Sequence, residues 1–365
     1  MDNSYYVAEI FLPNKSAYST HVIKMCNELS EKSLSPNLIL YHSDKRITYK
    51  KLRKDYLLTS KNNFSIKSIF KKKKNINFIQ RAIFGFKVAM YLKDKKKSFI
   101  LTRSLISSFF LSLFHIYHFI EIHNELSGLT KFLLIDLNFI NSKYVKKVIF
   151  ISTNLSNRFK VKNKLILHDA VDIKNFKKNK IRNKIKNIGY LGSFYEGRGI
   201  DIIIELAIKN KRLNFYLVGK DKNFKLANKL PLNIKVLNHV PYSKVPNLLS
   251  KFDILLMPYQ KIVRVNSNNL NTAMYCSPLK MFDYLASGKI IISSKLPGIN
   301  EILKNNYNSL LVKSDDSNQW NNSIKYILRN KGLAKKLRSN AFNTAINNTW
   351  KKRLEKITKY NDKIL

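Results

Sequence analysis

The stretch Asn187-Ile-Gly-Tyr-Leu-Gly-Ser-Phe-Tyr-Glu-Gly-Arg-Gly199, followed by the apolar run Ile200 to Ile208, has the pattern of a strand, a glycine-rich loop and a helix. Asn187 to Leu191 reads as a buried strand, and Ile200 to Ile208 has the periodicity of a helix. Backbone N–H groups in the loop between them, together with Arg198, suit an anion such as phosphate. The loop matches neither G-x-G-x-x-G nor G-x-x-x-x-G-K, so it is not a dinucleotide fingerprint or a P-loop.

A second informative stretch is Ser277-Pro-Leu-Lys-Met-Phe-Asp-Tyr-Leu-Ala-Ser-Gly288. We expect a helix from Pro278 to Ser287, because Ser277 is a good N-cap, proline fits the first helical position and glycine favours termination. The apolar residues at three- and four-residue spacing predict a buried face: Leu279, Phe282, Leu285 and Ala286.

Lys280 and Asp283 fall on another face of that helix, and two interpretations are open. Lys280 and the free N–H groups of the first turn would hold a diphosphate, while Asp283 would bind ribose hydroxyls. Alternatively, the two residues form an exposed ion pair that contributes little to stability.

The same alternation of strands and helices runs through both halves of the chain and predicts two parallel sheets covered by helices. The other predicted strands are Tyr5 to Phe11, Asn37 to Tyr41, Phe99 to Thr102, His118 to His123, Lys147 to Ser152, Lys164 to His168, Asn214 to Val218, Ile234 to Leu237, Asp253 to Met257, Ile290 to Ser293 and Ser309 to Val312. The first predicted helix is Thr20 to Ser30, and helices near Asn318 to Arg329, Gly332 to Asn347 and Lys351 to Tyr360 close the chain.

This pattern predicts an α/β protein with two doubly wound, Rossmann-like domains that face a cleft. We expect a first domain over residues 1–172, a lysine-rich linker over 173–186 and a second domain over 187–347. Residues 348–365 are expected to form a helix that crosses back to the first domain.

The composition is strongly basic but otherwise that of an ordinary folded protein. The 365 residues include 67 Lys+Arg against 23 Asp+Glu, a net charge of +44 that attracts polyanions of any kind. The lysines are scattered through the chain, so this charge carries little weight in choosing a function. Cys26 and Cys276 have no metal-ligand spacing and indicate a reducing compartment.

No signal peptide or membrane span is expected from the sequence. The uncharged run from Ser104 to Ile120 contains His115 and His118 and is too short to cross a bilayer. We therefore expect a cytoplasmic protein, either free or peripheral at the inner face of the membrane.

Phe64 to Lys93 departs from the pattern, because it mixes isoleucines and phenylalanines with the lysine run Lys71 to Lys74. Two interpretations have equal weight. The segment is a basic amphipathic element on an anionic membrane surface, or it is one or two helices that cover the sheet with their lysines in water.

Four motifs in the second half resemble family-4 glycosyltransferases of the GT-B fold. They are Asn187 to Asp201, Phe215-Tyr-Leu-Val-Gly219, Val240-Pro-Tyr-Ser-Lys-Val-Pro246 and Ser277 to Lys289, and their order and spacing match over most of residues 187–303. The first half is similar more loosely, through Thr102-Arg103, Glu121-Ile-His123, the turn at Ser152 and Asp169-Ala-Val-Asp172.

The resemblance implies transfer of a sugar from a nucleotide-diphosphate donor with retention of anomeric configuration, without an obligatory metal or other cofactor. It implies His123 and Glu196 as catalytic residues. The residues implied to bind the donor are Gly192, Arg198, Ser277, Leu279, Lys280 and Asp283. Fixed cations and helix N-termini would stabilise the charge that develops on the departing phosphate.

The chain departs from the family pattern at several positions. The family has two acids eight residues apart; Asp283 occupies the later position and Tyr275 the earlier one. Ser193 replaces a frequent arginine, and the N-terminal glycine-rich loop is Asn14 to Ser19. The missing acid at Tyr275 concerns the contact to the donor sugar and leaves the diphosphate contacts in place.

Two functions follow from these observations. The first is a glycosyltransferase in cell-surface polysaccharide synthesis, with a glycan or lipid-linked acceptor and no specific nucleic-acid partner. The second is a basic, non-catalytic binding protein for an anionic polymer or membrane, built on a degenerate transferase fold. A sugar-nucleotide epimerase is a third and weaker alternative, since it rests on architecture alone.

Overall fold

The computed structural model describes residues 3–33, 35–72, 76–176, 184–220, 230–264 and 271–361. The chain divides into two units, one made of Met1–His168 with Trp350–Leu365 and the other of Asp169–Thr349. Residues 177–183 of the predicted linker, and Lys73 and Lys74 of the lysine run, lie outside the described residues.

A seven-stranded parallel sheet forms the centre of the first unit. Its strands are β1 (Asn3–Leu12), β2 (Ser35–Ser43), β3 (Ser65–Ser68), β4 (Phe99–Thr102), β5 (His118–Ile122), β6 (Val145–Phe150) and β7 (Lys164–Ile166). They pair in the order β3-β2-β1-β4-β5-β6-β7. The order reverses between β1 and β4, and doubly wound sheets bind ligands beyond the carboxyl ends of the strands at that point.

Helices connect these strands as parallel pairing requires. They are α1 (Ala17–Lys32), α2 (Tyr49–Tyr56), α3 (Phe78–Leu92), α4 (Leu105–Leu113), α5 (Gly128–Lys131) and α6 (Thr153–Ser156), with a π-helical turn at Phe132–Asp136 and a 3₁₀ turn at Phe139–Asn141.

The second unit repeats this architecture with six parallel strands. They are β8 (Asn187–Leu191), β9 (Asn214–Lys220), β10 (Ile234–Asn238), β11 (Ile254–Met257), β12 (Ile290–Ser294) and β13 (Leu310–Val312), in the order β10-β9-β8-β11-β12-β13. The helices are α7 (Ile200–Lys209), α8 (Val245–Ser250), α9 (Leu279–Ala286), α10 (Pro297–Asn300), α11 (Ser317–Arg329) and α12 (Lys331–Asn347), and 3₁₀ turns lie at Ile173–Asn175 and Tyr242–Lys244. Here the switch point lies between β8 and β11.

The central strands of the second unit are buried on both faces. Every residue of β11 and β12 is buried, as expected for parallel strands that carry helices on both sides. Alternate side chains enter two separate cores: Leu255, Met257 and Ile291 belong to one, and Ile254, Leu256 and Ile292 to the other. The sheet thereby fixes the ends of β8 and β11, from which the candidate site is built.

Several elements differ from the sequence-based expectations. Helix α1 begins at Ala17 instead of Thr20, because the Ser16 hydroxyl accepts a hydrogen bond from the Ser19 N–H at 3.1 Å and caps the helix earlier. The segment Phe64 to Lys93 is not helical throughout, since it contains strand β3 before helix α3. Helix α2 was not predicted, because its polar sequence leaves only Leu52 and Tyr56 buried.

The C-terminal helix α13 (Trp350–Thr358) belongs to the first unit and is attached there by a buried ion pair. Arg353 Nη1 lies 2.6 Å from Glu121 Oε1 of strand β5, and both side chains are almost fully buried. The Arg353 Nε donates to the carbonyl of His168 at 3.0 Å. The other Glu121 oxygen accepts hydrogen bonds from the Tyr6 hydroxyl and, at 3.3 Å, from His21 Nε2.

Glu121 is ionised in this network. Burial by itself would raise the pKa of Glu121, but the charge of Arg353 and the contact with His21 hold this pKa well below its usual value. Breaking a buried pair by removing one partner is strongly destabilising, because the other charge is left uncompensated.

We therefore predict that Arg353→Met lowers the free energy of unfolding by about 3–5 kcal/mol, measured by denaturant titration. Lys356→Met, an exposed position on the same helix, is the control and should change it by less than about 0.5 kcal/mol. Adding Glu121→Gln to Arg353→Met should recover part of the loss. If Arg353→Met is as stable as the control, the ion pair does not attach helix α13.

Candidate functional site

The glycine loop of the second unit lies at the switch point of its sheet, between the ends of β8 and β11. Gly192 has φ +149°, and a Cβ added there would lie 2.6 Å from the Lys280 Nζ. Gly199 has φ +70°, and its Cβ would lie 1.9 Å from the carbonyl oxygen of Pro258, just after β11. Glycine at these positions therefore lets Lys280 reach the loop and lets the loop pack on the backbone beyond β11.

Two cations meet in this place above tyrosine rings. The Lys280 Nζ lies 4.1 Å from the centre of the Tyr190 ring and 4.8 Å from that of Tyr259. The Arg198 guanidinium carbon lies 4.5 Å from the centre of the same Tyr259 ring. Burial raises the pKa of Tyr259 to about 12, so this ring is a neutral phenol that can carry cations on its face.

Within the described ranges, no carboxylate forms an ion pair with Lys280 or Arg198. The Lys280 Nζ and the Arg198 Nε are buried, and neither has a hydrogen-bond partner among the residues that the structure describes. Burial lowers the pKa of Lys280 well below its usual value, and the charge of Arg198 lowers it further. The Arg198 guanidinium also makes a hydrogen bond with the Tyr259 side chain. A buried ammonium nitrogen without a partner is costly, so the arrangement favours an anion that would lie against Lys280 and Arg198.

The start of helix α9 differs from the sequence prediction. The helix begins at Leu279, Pro278 is the capping residue in an extended conformation, and no side chain caps the helix. Ser277 is therefore not the N-cap, because its hydroxyl accepts a hydrogen bond from the Asp169 N–H at 3.2 Å. Leu279 is half-buried in the first turn, next to Lys280.

Asp283 lies in the interior, so the interpretation as an exposed Lys280–Asp283 pair is wrong. Its carboxylate is 6% exposed and accepts a hydrogen bond from the Tyr242 hydroxyl at 3.0 Å. Burial and the charge of Asp283 raise the pKa of Tyr242 well above its usual value. Tyr242 therefore stays protonated and donates to the Asp283 carboxylate, which fixes the position of that side chain.

The remaining candidates of the second unit lie in different surroundings. Glu196 is on the outside of the glycine loop, with its side chain 62% exposed and its Oε2 at 3.0 Å from Arg264 Nη1. Tyr275 is fully buried, and a Cβ added to Gly298 would lie 2.8 Å from its backbone carbonyl carbon. Tyr275 thus belongs to the packing of this region.

His123 follows strand β5 in the first unit and packs against the buried network of Glu121. Its ring lies 4.9 Å from that of His21 in an edge-to-face arrangement. Burial lowers the pKa of His123 well below its usual value, and the positive charge of Arg103 contributes to this. Its Nε2 is buried without a hydrogen-bond partner among the described residues, so a neutral imidazole remains available to a ligand.

His21, Glu121 and His123 also bring three potential metal ligands within 4.8 Å of one another. The group fits a divalent cation poorly, because the Glu121 carboxylate already accepts hydrogen bonds from Arg353, Tyr6 and His21. A cation at this point would also meet the charge of Arg353.

The sequence analysis did not identify several residues that contact the candidate site residues, either around Lys280, Arg198 and Asp283 or around Glu121 and His123. These residues are Tyr190, Tyr259 and Tyr242 in the second unit and Tyr6, His21 and Arg353 in the first. Tyrosines within apolar strands read as core residues, and Arg353 lies far from β5 in sequence. The short spacing of Trp350, Arg353 and Leu354 on one helical face was the available signal, because it placed an arginine among buried residues.

Comparison with known proteins finds a family match over part of the chain and a shared fold over all of it. Residues 171–344 match the family model of glycosyl transferases group 1. The matched region contains Arg198, Lys280 and Asp283.

An uncharacterised glycosyltransferase of Methanocaldococcus jannaschii is 27% identical over 222 residues, which is 58% of this chain and 55% of that protein. The chain thus spans about half the length of the curated relatives it matches. The chain is thus similar to an uncharacterised glycosyltransferase, and over residues 171–344 to the glycosyl transferases of group 1.

Solved structures match the whole chain. A glycosyltransferase from Rickettsia africae has a TM-score of 0.73 at 16% identity, over 100% of this chain and 98% of that one. Anabaena HepE, crystallised with UDP and glucose, has a TM-score of 0.69 at 13% identity, over 98% and 99%. The chain has the GT-B fold, and the prediction of two Rossmann-like α/β units is confirmed.

We predict that Lys280→Met changes the free energy of unfolding of the unliganded protein by no more than about 1 kcal/mol. The variant loses the cation–π contacts of Lys280, which destabilises the fold. It also removes the desolvation cost of the buried ammonium and its repulsion by Arg198, and these opposing effects should nearly cancel. Lys289 is the matched control, since it is buried but donates to the Ser250 carbonyl at 2.9 Å; Lys289→Met should cost about 1–3 kcal/mol. A loss at Lys280 equal to that at Lys289 would assign Lys280 to stability.

Proposed function

We propose that this chain is a glycosyltransferase that moves a sugar from a nucleotide-diphosphate donor to a glycan or lipid-linked acceptor in cell-surface polysaccharide synthesis. The observation that carries the proposal is the pair of buried cations, Lys280 and Arg198, which lack a carboxylate partner among the described residues. The family match over residues 171–344 and the likeness to a structure crystallised with UDP support a nucleotide donor.

In the proposed complex the diphosphate lies against Lys280, Arg198 and the backbone at Gly192 and Leu279. The ribose hydroxyls would donate to Asp283, whose carboxylate is held in place by Tyr242. When the bond between sugar and phosphate breaks, negative charge grows on the phosphate oxygen that leaves. Two cations that are already in position stabilise this charge without rearrangement, which lowers the barrier.

Retention of anomeric configuration, and the catalytic roles of His123 and Glu196, are part of the proposal. His123 would contribute a neutral imidazole, because burial and the neighbouring positive charges disfavour its protonation. Glu196 is solvent-exposed in the glycine loop and would act only once a bound substrate covers it. No metal or other cofactor is part of the proposed reaction.

The first test is a thermal-shift screen of UDP, GDP, ADP and their sugar conjugates. A ligand that binds the folded state alone, present at a hundred times its Kd, stabilises it by about 2.7 kcal/mol. We expect at least one nucleotide sugar to raise Tm and to be hydrolysed or transferred slowly. If none raises Tm, the proposed donor site is wrong.

The second test uses variants in transfer assays with the stabilising donor. Lys280→Ala and Arg198→Ala should each lower the rate by about 100-fold or more, because each removes charge stabilisation in the transition state. Lys261→Ala removes an exposed lysine that pairs with Asp315 at 2.8 Å and should leave the rate unchanged. Unchanged turnover in both site variants would overturn the assignment, and a product of inverted configuration, seen by proton NMR, would overturn retention.

The alternative of a basic binding protein draws on the net charge of +44 and on Tyr275. Salt separates the two functions, since binding of a polyanion releases counterions and weakens steeply with salt. We expect nucleotide-sugar binding to respond much less, because its cations are buried. Steep salt dependence without any nucleotide-induced shift in Tm would favour the alternative.

A further inference from the structure

The exposed apolar side chains of the first unit are concentrated in one part of its sequence. Nine large apolar residues of this unit are exposed among the described residues, and all lie between residues 76 and 137. They are Ile76, Ile79, Ile83, Phe86, Met90, Leu113, Leu129, Phe132 and Leu137. Single exposed apolar residues are normal, but a concentration of them marks an interaction site.

Helix α3 supplies the centre of this surface. Ile79, Ile83, Phe86 and Met90 have exposed fractions of 64%, 38%, 46% and 39%. At roughly 100° per residue they fall within about 60° of one another around the helix and form a single stripe. The opposite face of α3 is buried: Phe84, Gly85, Val88, Ala89 and Leu92. A helix that is apolar on both faces needs a second apolar environment besides the protein core.

Contacts within the first unit join the stripe to its neighbours. Gly85 lets α3 approach α4, since a Cβ there would lie 3.1 Å from the backbone of Ile106. The Phe86 ring lies 5.9 Å from the rings of Phe110 and Phe114, at the end of α4 that carries exposed Leu113. Arg81 Nη1 lies 3.3 Å from the hydroxyl of Thr130, between exposed Leu129 and Phe132.

The charges around this surface are mostly positive. No Asp or Glu occurs from Tyr56 to Lys93, whereas nine Lys and Arg do. Between residues 71 and 137, the exposed lysines among those described are Lys71, Lys72, Lys87, Lys93, Lys96, Lys97 and Lys131. Glu9 is neutralised by Arg81 at 2.8 Å, and Asp94 and Asp136 are the exposed acids of the same region.

We infer that this apolar surface, centred on α3, docks the protein on an anionic lipid bilayer. The stripe of α3 enters the boundary between headgroups and acyl chains, and the lysines bind anionic headgroups. No helix among the described residues has the length and apolar character to span a bilayer. Lipid fits better than a second copy of this chain, because self-association would bring two lysine-rich surfaces together.

The docking surface is independent of the proposed transferase activity. It lies on the first unit, whereas Lys280 and Arg198 belong to the second. If the protein binds vesicles but no nucleotide, the docking surface stands and the proposed function is wrong. If it binds a nucleotide but no vesicles, the proposed function stands and the docking surface is wrong.

The test is co-sedimentation of the full chain with unilamellar vesicles of 30 mol% phosphatidylglycerol in phosphatidylcholine. The variant Ile79→Ser/Ile83→Ser/Met90→Ser removes three of the four apolar side chains of the stripe and keeps Phe86, which packs against Phe110 and Phe114. The matched control, Ile208→Ser/Tyr326→Ser/Ile346→Ser, removes three apolar residues of the second unit with exposed fractions of 55%, 51% and 41%. A second variant, Lys87→Gln/Lys131→Gln, keeps the stripe and removes two of the exposed lysines of the docking surface.

We expect the wild type to bind these vesicles at least about tenfold more tightly than pure phosphatidylcholine, and to dissociate as salt is raised. The stripe variant should bind at least about tenfold more weakly, since three apolar side chains no longer leave water. The lysine variant should weaken binding by about fivefold for each lysine, on the anionic vesicles only. The control variant should bind as the wild type does.

Several results would overturn the inference. They are a wild type that does not bind the anionic vesicles, a stripe variant that binds as the wild type does, and a control variant that is weakened equally. Size-exclusion chromatography of the same proteins tests a second copy as the occupant: a wild-type dimer that becomes monomeric in the stripe variant would replace lipid by self-association. Unchanged Tm of the stripe variant shows that it is folded.

Discussion

The interaction on which the candidate site depends is the meeting of two cations, Lys280 and Arg198, at the Tyr259 ring. Lys280 comes from the start of helix α9 and Arg198 from the glycine loop, and both converge where the sheet reverses its strand order. The glycines of the loop have backbone conformations that other residues rarely adopt, and this permits the approach. The fold thus holds Lys280 beside the charge of Arg198, where burial and that charge disfavour the protonated form of Lys280 and a bound anion would favour it.

In the first unit, by contrast, a buried charge has partners of opposite charge and hydrogen-bond donors. There Glu121 accepts hydrogen bonds from Arg353, His21 and Tyr6, so a charged group in the interior is fully satisfied. That network attaches the C-terminal helix and surrounds His123, whose pKa is held low. This contrast suggests two roles for buried charge: the Glu121–Arg353 pair should matter for stability, and the cations Lys280 and Arg198 for ligand binding.

Much of the fold was predictable because parallel strands buried on both faces leave continuous apolar runs, as in Ile290 to Ser293. The glycine turn from β8 into helix α7 was also predictable, since the spacing of its glycines is a local signal. The prediction of Ser277 as N-cap was wrong because a residue distant in sequence, Asp169, takes up its hydroxyl. The roles of Tyr190 and Tyr259 depend on contacts between distant segments and leave no local pattern in the sequence. For Arg353 the local signal is its place on the buried face of helix α13, but its partner Glu121 is distant in sequence.

The most direct test of this account is calorimetry of nucleoside diphosphate binding in two phosphate-free buffers of different ionisation enthalpy. In the free protein the pKa of Lys280 is held well below its usual value, and a bound anion would raise it. At a pH between these two pKa values, nucleotide binding should be coupled to the uptake of a proton by Lys280. The affinity should therefore fall as pH rises through this range. We expect net proton uptake by the wild type and none by Lys280→Met. Binding without proton uptake in the wild type, or equal uptake and affinity in Lys280→Met, would contradict the account.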